Sequence, residues 1–570
     1  TKHTLTYIPA FKNKDHSVLA LARMELSTWN GTGQNSGVKG LPSGGIESPY
    51  AGGVNNALSS WYSEGRSLFF TLSAHYAYKS RYMADVTLRA DGTTKFGPDN
   101  RWGYFPSVSL RWNVIDEPFM EHLRSWLSMF SIRPSWAYMG VAPNQDYLYT
   151  SKYGSSSMYY NMSSMTPINL KLLNLKWQKS TKYNLGFDLG FLNDKLNVTF
   201  EMYNETVSDI LMPNFRIPSS TGYATVAYRN DGKMRNTGWE FHVNTNKLVK
   251  AGKFTMDINA NFSNSKSRIL EMDETLLKNK NTTFNFENNQ IMERVQLMNP
   301  NNSIYGFRYK GVYQYQYDTF KNLSQEDQQK FIDEGKTAPV ALTADGKVIR
   351  DDNGDPIRMM FGYSNDGSGV NSGAGYKFYG GDAIYEDVNN DGQINALDIV
   401  YLGSSLPKLV GGFGFAFTYG DWRLSTQFSY RLGFKIINRA RLTSEAMINN
   451  DNQSQAVNYR WRKEGDVTSI PRAMYGSTTN YNTLISDRFV EDGDYLRMTY
   501  AQLSYTLKKK YLKWIGLSKV SFYVSANNPL IITKYTGVDP DISAGGTSPA
   551  IDNGQTPRAK SYTFGMTVDF

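Results

Sequence analysis

The chain has no cysteine among its 570 residues. This absence excludes a disulfide framework, a thiolate zinc site and a cysteine nucleophile. The sequence also lacks a run of about 18 apolar residues, so no transmembrane helix is expected. The mean hydropathy is only −0.49. Disulfide-rich secreted domains and helical membrane proteins are both ruled out as classes.

Charge of one sign is not concentrated anywhere. The chain has 61 Lys and Arg against 52 Asp and Glu, a net charge of +9. Without a basic block of the kind found in nucleic-acid tails, no nucleic-acid partner is expected. The sequence contains no GxSxG block, and its histidines are isolated from one another, so no nucleophile–base pair is predicted. We expect no enzyme and no catalytic residues. The five histidines are His3, His16, His75, His122 and His242.

Aromatic residues are abundant, with 39 Tyr, 30 Phe and 11 Trp, or 14% of the chain. Apolar and polar residues alternate with period two along many segments, as in 183–191 ("YNLGFDLGF"), 196–202, 254–262 and 413–431. This alternation indicates half-buried strands. We predict an all-β fold, a transmembrane antiparallel β-barrel of about 16 strands, each near the 9–11 residues that a tilted spanning strand needs.

The connections between these segments alternate in length. Short ones fall at 12–15, 79–81, 193–194 and 420–421; long ones run through 29–65, 139–180, 269–303, 315–406, 435–488 and 531–557. Short turns on one side and long extracellular loops on the other are typical of an integral barrel in the bacterial outer membrane. A soluble β-sandwich would have similar strands but shorter loops. Two segments have helical patterns, 117–127 and the capped 324–335; for 117–127 the entry to a strand is the alternative.

The loop 139–180 carries a cluster of tyrosines among Ser, Asn and Gly. Tyrosine rings suit stacking on sugars or burial against a partner protein. The other interpretation is that they pack the loop onto itself. The candidate substrate-binding residues are Tyr147, Tyr149, Tyr153, Tyr159 and Tyr160.

A calcium-type loop stands at 387–398, "DVNNDGQINALD". It matches D-x-[DN]-x-[DN]-G, with Gly392 at the sharp turn and Ile394 as the apolar anchor. The twelfth position is Asp398 instead of the usual bidentate Glu, and no helix pair flanks the loop. We predict a structural calcium ion that stiffens an extracellular loop; an Asx-rich turn without metal is the alternative. The candidate ligands are Asp387, Asn389, Asp391, Gln393 (through its backbone carbonyl), Asn395 and Asp398.

The chain ends on a strand that stops at an aromatic residue, "YTFGMTVDF". This pattern predicts the C-terminal signal by which outer-membrane barrels are assembled, and an ordinary final strand is the alternative. The signal residues are Tyr562, Phe564, Met566, Val568 and Phe570.

Several blocks together resemble the C-terminal part of a SusC/RagA-type TonB-dependent outer-membrane transporter. They include "NDGKMRNTGWEFHVN" at 230–244 and "NNPLIITKYTGVDPD" at 527–541. Each block alone is a β-rich pattern of modest specificity, but they follow the family's order over nearly the whole chain. The others are 88–120, 175–211, 385–403, 489–507 and the terminal Phe570.

The front of the family pattern is missing. The chain opens on "TKHTLTYIPAF", which reads as a strand. We therefore expect 1–570 to be a receptor barrel domain that is N-terminally incomplete. The resemblance implies that signal peptide, TonB box, plug and first strands are absent from this chain, and that its strands are part of a plugged barrel of about 22 strands.

The resemblance implies active import of oligosaccharide or peptide nutrients across the outer membrane. The implied partners are a SusD-like surface lipoprotein, outer-membrane lipid, and the TonB–ExbB–ExbD complex reached through the missing N-terminal part. Two transporter–lipoprotein pairs could also associate as a dimer. The alternatives are a siderophore or cobalamin receptor without a lipoprotein and, from another class, a secreted calcium-stabilised glycan-binding adhesin.

Overall fold

A computed structural model describes residues 1–40, 54–160, 162–281, 294–362, 375–476, 481–512, 516–546 and 548–570. For 55–57, 155–159, 163, 279–280 and 509 it describes the backbone alone. No helix among these residues is long and apolar enough to cross a membrane.

The described chain consists mainly of strands. In order they are β1 (Lys2–Tyr7), β2 (His16–Lys39), β3 (Val54–Tyr78), β4 (Tyr82–Thr93), β5 (Trp102–Asn113), β6 (Leu127–Val141), β7 (Tyr153–Tyr159), β8 (Met162–Pro167), β9 (Gln178–Phe191), β10 (Leu196–Ser208), β11 (Leu211–Arg216), β12 (Thr225–Asn230), β13 (Lys233–Thr245), β14 (Val249–Ala251), β15 (Phe254–Glu271), β16 (Ser303–Gly306), β17 (Tyr309–Val312), β18 (Met360–Phe361), β19 (Tyr376–Lys377), β20 (Ala383–Tyr385), β21 (Gln393–Ile394), β22 (Val400–Ser404), β23 (Leu409–Tyr419), β24 (Trp422–Leu432), β25 (Lys435–Asn438), β26 (Val490–Asp492), β27 (Tyr495–Thr506), β28 (Lys519–Thr533), β29 (Ile551–Asp552) and β30 (Ser561–Asp569).

The helices are short. They are α1 (Glu274–Asn281), α2 (Tyr317–Lys321), α3 (Gln325–Asp333), α4 (Arg439–Ser444) and α5 (Lys509–Leu512). The predicted helix at 324–335 is confirmed, with the Ser324 side chain accepting from the backbone N–H of Asp327 as its N-cap. The segment 117–127 divides into a 3-10 helix, Pro118–Leu123, and the entry to β6.

Sixteen of the described strands, including the three-residue β14, form one antiparallel sheet. The chain divides into two compact units, Thr1–Trp239 with Leu270–Asp273, and Glu240–Ile269 with Glu274–Phe570. In the first unit the strand order is β1-β2-β3-β4-β5-β6-β9-β10; in the second it is β15-β23-β24-β27-β28-β30, with β14 beside β15. The predicted all-β fold of about 16 strands is confirmed.

The predicted hairpins have the predicted register. Leu196 pairs with Phe191 across one short turn, and Trp422 pairs with Tyr419 across another. Alternation then places one apolar and one polar side chain in turn along each strand. The apolar face carries exposed large side chains where a soluble protein would bury them. In the first unit these include Leu72, Val86, Leu88, Leu110 and Met202.

Charges on the polar face of the first unit pair with one another. Arg133 donates from Nε to Asp188 Oδ2 at 2.8 Å and from Nη2 to Glu201 Oε1 at 2.7 Å. Ser131 and Thr199 donate to the two oxygens of the same Asp188 carboxylate. Such a network satisfies polar groups along a wall that excludes lipid.

The prediction of a long loop through 29–65 is wrong. Strands β2 and β3 remain paired as far as Lys39 and Val54, with one register shift between Gly37 and Val38, and their lengths are 24 and 25 residues. The predicted length of 9–11 residues also fails here. Ser, Gly and Asn suggested a loop, but cross-strand hydrogen bonding supplies backbone partners whatever the side chains are.

The long loops of the second unit fold into a layer with its own apolar core. Short sheets support this layer: β16 with β22, β17 with β20, β18 with β19 and β21, and β25 with β26 and β29. Large aromatic side chains dominate the main cluster, which buries residues from segments far apart in sequence. Its members are Tyr305, Phe307, Tyr313, Ala341, Met359, Phe361, Phe378, Ala383, Tyr385, Ile394, Ile399 and Leu484.

Candidate functional site

Tyr147 fastens the tyrosine-rich loop of the first unit to β3. Its hydroxyl accepts from the backbone N–H of Glu64 at 2.7 Å. The ammonium of Lys152 lies 5.6 Å from the centroid of its ring. Tyr147 also has a left-handed backbone, with φ of 58°. Because a non-glycine residue adopts this conformation only where its surroundings hold it, Tyr147 reads as an anchor of the loop.

Tyr149 packs at the base of the same loop. The Arg101 guanidinium lies 5.5 Å from the centroid of its ring. The neighbouring Leu148 is buried in a cluster with Phe96, Phe105, Leu175 and Trp177. For Tyr147 and Tyr149, the contacts therefore favour the interpretation in which aromatic residues pack the loop.

The remaining tyrosines lie on or beside the β7–β8 hairpin. Tyr153 is 61% exposed and Tyr160 is 86% exposed. Tyr159 pairs with Met162 through the backbone, but its side chain lies outside what the structure describes. Two of the five tyrosines therefore anchor the loop, and two have exposed side chains. Contact between the loop and a substrate stays a prediction, and it now rests on the exposed residues Tyr153 and Tyr160.

The calcium-type loop closes on its own backbone. The Asp387 carboxylate accepts from the N–H of Asp391 at 3.2 Å and of Gly392 at 2.8 Å. Gly392 has φ of +81°, the left-handed conformation that the sharp turn requires. Ile394 is fully buried in the aromatic core of the loop layer, as the anchor position predicts. The loop is thus fixed to the second unit by its apolar residue.

Asp398, at the twelfth position, is turned inward. It is fully buried, and its two oxygens accept from the N–H groups of Val388 and Asn395, each at 2.8 Å. Its side chain also completes a capping box with Asn395 at the 3-10 helix Ala396–Asp398. Burial raises the pKa of Asp398, and nearby Asp387 and Asp391 raise it further.

Burial likewise raises the pKa of Asp387, with the Asp391 charge adding to it. Among the described residues, no Lys, Arg or His forms a salt bridge with Asp387, Asp391 or Asp398. An all-oxygen donor set with several carboxylates and no cationic side chain has the chemistry that Ca²⁺ prefers. Across the described part of the chain, however, no three acidic or imidazole side chains converge as a metal cluster. Calcium binding stays a prediction.

The last strand keeps the predicted alternation. β30 pairs with β28, with Phe564 opposite Val524 and Met566 opposite Phe522. Tyr562, Phe564 and Met566 are exposed, and Phe570 is 93% exposed. Val568, opposite Val520, completes the apolar row. This row is available to lipid or to an assembly factor, and its role as an assembly signal stays a prediction.

Sequence reasoning missed two tryptophans, Trp29 and Trp61, because it assigned 29–65 to a loop. Both lie on the extended hairpin of β2 and β3, each opposite a glycine. The signal was present in the alternation of Ser and Gly with Trp at 59–67 and 27–35. A period-two pattern of small residues is easily taken for a loop, because it lacks the apolar residues by which strands are recognised in a sequence.

Sixteen of the described strands form one antiparallel sheet with an apolar face and short turns at 79–81, 192–195 and 420–421. Other connections are long, and their described residues are folded, as at 142–160, 433–476 and 548–560. Together these features define the class of outer-membrane β-barrels. The family described as "TonB dependent receptor-like, beta-barrel" matches residues 20–390, which is more than half of the chain. The chain belongs to this family. It is an outer-membrane protein and, as a member of a receptor family, not an enzyme; both predictions are confirmed.

Two relatives have similar sequences. "TonB-dependent receptor P39" of Formosa agariphila is 26% identical over 511 residues, covering 87% of this chain and 45% of the relative. "TonB-dependent receptor SusC" of Bacteroides thetaiotaomicron is 26% identical over 514 residues, covering 87% of this chain and 43% of the relative. The chain thus spans less than half the length of these relatives.

Among solved structures, "Structure of the RagAB peptide transporter" matches with a TM-score of 0.75 and 19% identity, covering 100% of this chain and 55% of that one. At this identity the match shows the fold. Together with the relatives, it confirms the resemblance to SusC/RagA-type transporters that the sequence blocks predict.

Proposed function

We propose that this chain forms the C-terminal part of the barrel of a TonB-dependent transporter, which imports oligosaccharides or peptides across the bacterial outer membrane. The observation that carries the proposal is the match of residues 20–390 to the receptor barrel family. Receptors of this kind need energy because they concentrate nutrients, and the outer membrane has no energy source of its own. The intact protein would then also contain the plug and the TonB-contacting segment.

A SusD-like surface lipoprotein is the proposed partner. The similarity to SusC and to the RagAB transporter supports this pairing. The folded loop layer of the second unit supports it as well, because loops with a buried aromatic core offer a stiff surface to a partner. Flexible loops would have to be ordered on binding, which costs affinity.

The calcium-type loop is proposed to brace this layer. Its carboxylates lie next to the aromatic core through Ile394, so a bound ion would hold 387–398 against β18. An extracellular site can be weak and still fill, since calcium is abundant outside the cell.

Purification of the intact transporter from native outer membrane tests the proposal. We expect it to require detergent for extraction and to retain a surface lipoprotein in about equal amount. Mass spectrometry of the complex should find an oligosaccharide or peptide. A transporter that purifies alone with a metal chelate would support the siderophore or cobalamin alternative instead.

A further inference from the structure

Strands β2 and β3 form an arm that extends past their neighbours. β3 pairs with β4 only as far as Ser67, opposite Thr93, whereas it pairs with β2 as far as Val54, opposite Lys39. The arm therefore consists of residues 28–39 and 54–66. At about 3.3 Å per residue, its β3 side extends roughly 40 Å beyond the last full rung with β4.

The two faces of the arm differ in chemistry. The apolar face of the sheet continues through Leu26, opposite Leu68, so residues of the other parity continue the polar face. From Ser27 to Asn35 and from Ser59 to Ser67, this second face, the tryptophan face, carries only Ser, Gly and Asn besides its two indoles, and none of these residues is charged. Its paired rungs are Ser27 with Ser67, Trp29 with Gly65, Gly31 with Ser63, Gly33 with Trp61, and Asn35 with Ser59.

Each indole lies over the glycine that faces it. A Cβ atom on Gly33 would come within 2.6 Å of Cε2 of Trp61, and one on Gly65 within 2.7 Å of Cε2 of Trp29. Such contacts are closer than packed atoms allow, so only glycine accommodates the rings in this position. Trp61 nevertheless remains 53% exposed and Trp29 41% exposed. The glycines thus hold two aromatic surfaces against the strands and leave them open.

A carboxylate without a full set of partners stands at the edge of this face. Asp146, in the tyrosine-rich loop, is 8% exposed, and its Oδ2 lies 3.5 Å from the Ser63 hydroxyl. Its Oδ1 is buried and has no hydrogen-bond partner among the described residues. A buried acceptor without a donor is costly, and a ligand hydroxyl would satisfy it.

We propose that the tryptophan face is a binding platform for a neutral oligosaccharide, with Trp29 and Trp61 stacking on sugar rings. This inference rests on the proposed function and narrows its substrate class to glycans. Indoles present a flat apolar surface to the C–H face of a pyranose. Ser and Asn supply hydrogen bonds to its hydroxyls.

The same face is poorly suited to an acidic peptide. Its rungs from Ser27 to Asn35 carry no cationic side chain that could pair with peptide carboxylates, and the Asp146 carboxylate at the edge of the face would repel them. The two indoles stand four residues apart along the ladder, about 13 Å at the strand rise. Because one sugar ring cannot reach both, an oligosaccharide would bind more tightly than a monosaccharide.

Binding to the intact transporter in detergent tests the proposal. The probes are maltoheptaose, xylohexaose and mannohexaose, with a tryptic casein digest as the peptide probe, followed by tryptophan fluorescence and calorimetry. We expect at least one neutral glycan to bind, and Trp29→Ala with Trp61→Ala to weaken it about tenfold or more. Tyr62→Ala is the matched control, because Tyr62 lies on the opposite face and is 59% exposed. The Tyr62→Ala variant should bind the glycan with the same affinity as the wild-type protein.

A second variant separates ring position from ring presence. Gly33→Ala with Gly65→Ala keeps both tryptophans but forces each indole off the backbone. We expect a loss of glycan affinity similar to that of the double tryptophan variant, together with a changed near-ultraviolet circular dichroism spectrum. Glycan affinity equal to wild type in this variant would overturn the proposed stacking. Far-ultraviolet circular dichroism and heat-modifiable gel migration would establish that each variant is folded.

The remaining outcomes separate failure of the binding-platform proposal from failure of the proposed transport function. If none of the three glycans binds, or if casein peptides bind and the tryptophan variants weaken them, the platform proposal fails. Transport would still stand if nutrient uptake depends on TonB. If uptake of every probe is independent of TonB, the proposed function fails, even where glycan binding is retained.

Discussion

At the residue scale, the loop layer buries the Glu445 carboxylate between two arginines. This carboxylate accepts from Nη2 of Arg488 at 2.6 Å and from Nε of Arg441 at 2.8 Å. The side chains of Glu445 and Arg488 are only 3% and 5% exposed. Removing the carboxylate would leave the Arg488 charge buried and unpaired.

We therefore expect Glu445→Ala to destabilise the loop layer by about 3–5 kcal/mol. Thermal unfolding in detergent and proteolysis of the loops would measure the loss. Lys321→Ala is the control, since the Lys321–Asp355 pair is exposed and should contribute less than about 1 kcal/mol. If the two variants lost equal stability, the result would contradict the claim that the buried ion pair stabilises the loop layer more than the exposed one does.

A single hydroxyl fixes the tyrosine-rich loop to β3. Tyr147→Phe removes the acceptor of the Glu64 N–H and should cost about 1 kcal/mol locally. Hydrogen exchange by mass spectrometry should then show faster exchange in a peptide covering 58–66. Tyr153→Phe, at a residue that is 61% exposed, should leave this exchange unchanged. An unchanged rate in Tyr147→Phe would mean that other contacts hold the loop.

At the element scale, the strands that sequence alone could predict are those with an apolar face. The hairpin of β9 and β10 alternates Leu and Phe with Asn, Asp and Gly, so its register follows from the pattern. The arm of β2 and β3 was not recognised as a pair of strands, because neither of its faces carries the row of apolar side chains by which strands are recognised in a sequence. Its register depends on cross-strand pairing, which composition does not reveal.

At the same scale, calcium is expected to change the stiffness of the calcium-type loop, residues 387–398. Adding about 1 mM calcium should slow proteolytic cleavage within 387–398, since an occupied site stiffens the loop. Asp387→Asn with Asp391→Asn should abolish that protection. Asp345→Asn, an exposed acid elsewhere in the second unit, should retain it. Cleavage that calcium does not change in the wild type would favour the Asx-rich turn without metal.

The terminal strand gives a second prediction at this scale. Deletion of Phe570 should lower the amount of transporter assembled in the outer membrane, because the strand would lose its exposed C-terminal aromatic residue. Heat-modifiable migration and surface labelling measure assembly. The substitution Phe570→Tyr keeps an aromatic ring and should assemble normally. Normal assembly after the deletion would leave β30 as an ordinary final strand.

At the scale of the whole molecule, the family was predictable because ordered blocks extend over the chain. The fold of the loop layer was not predictable, because its contacts join residues that are far apart in sequence. Arg472 and Asp382, for example, are 90 residues apart and meet at 2.7 Å. The sequence indicated long loops, but it could not show which of their charges would be buried together. The candidate tyrosines likewise divided into anchors and displayed residues only once their neighbours were known.

The central claim is that this barrel imports nutrients with energy from TonB. Uptake of a labelled nutrient should be measured in cells with the intact transporter, without it, and with the transporter but without TonB. We predict that uptake is lost equally in the last two strains, while the transporter stays at a normal level in the outer membrane. Uptake that continues at the wild-type rate without TonB would contradict the account.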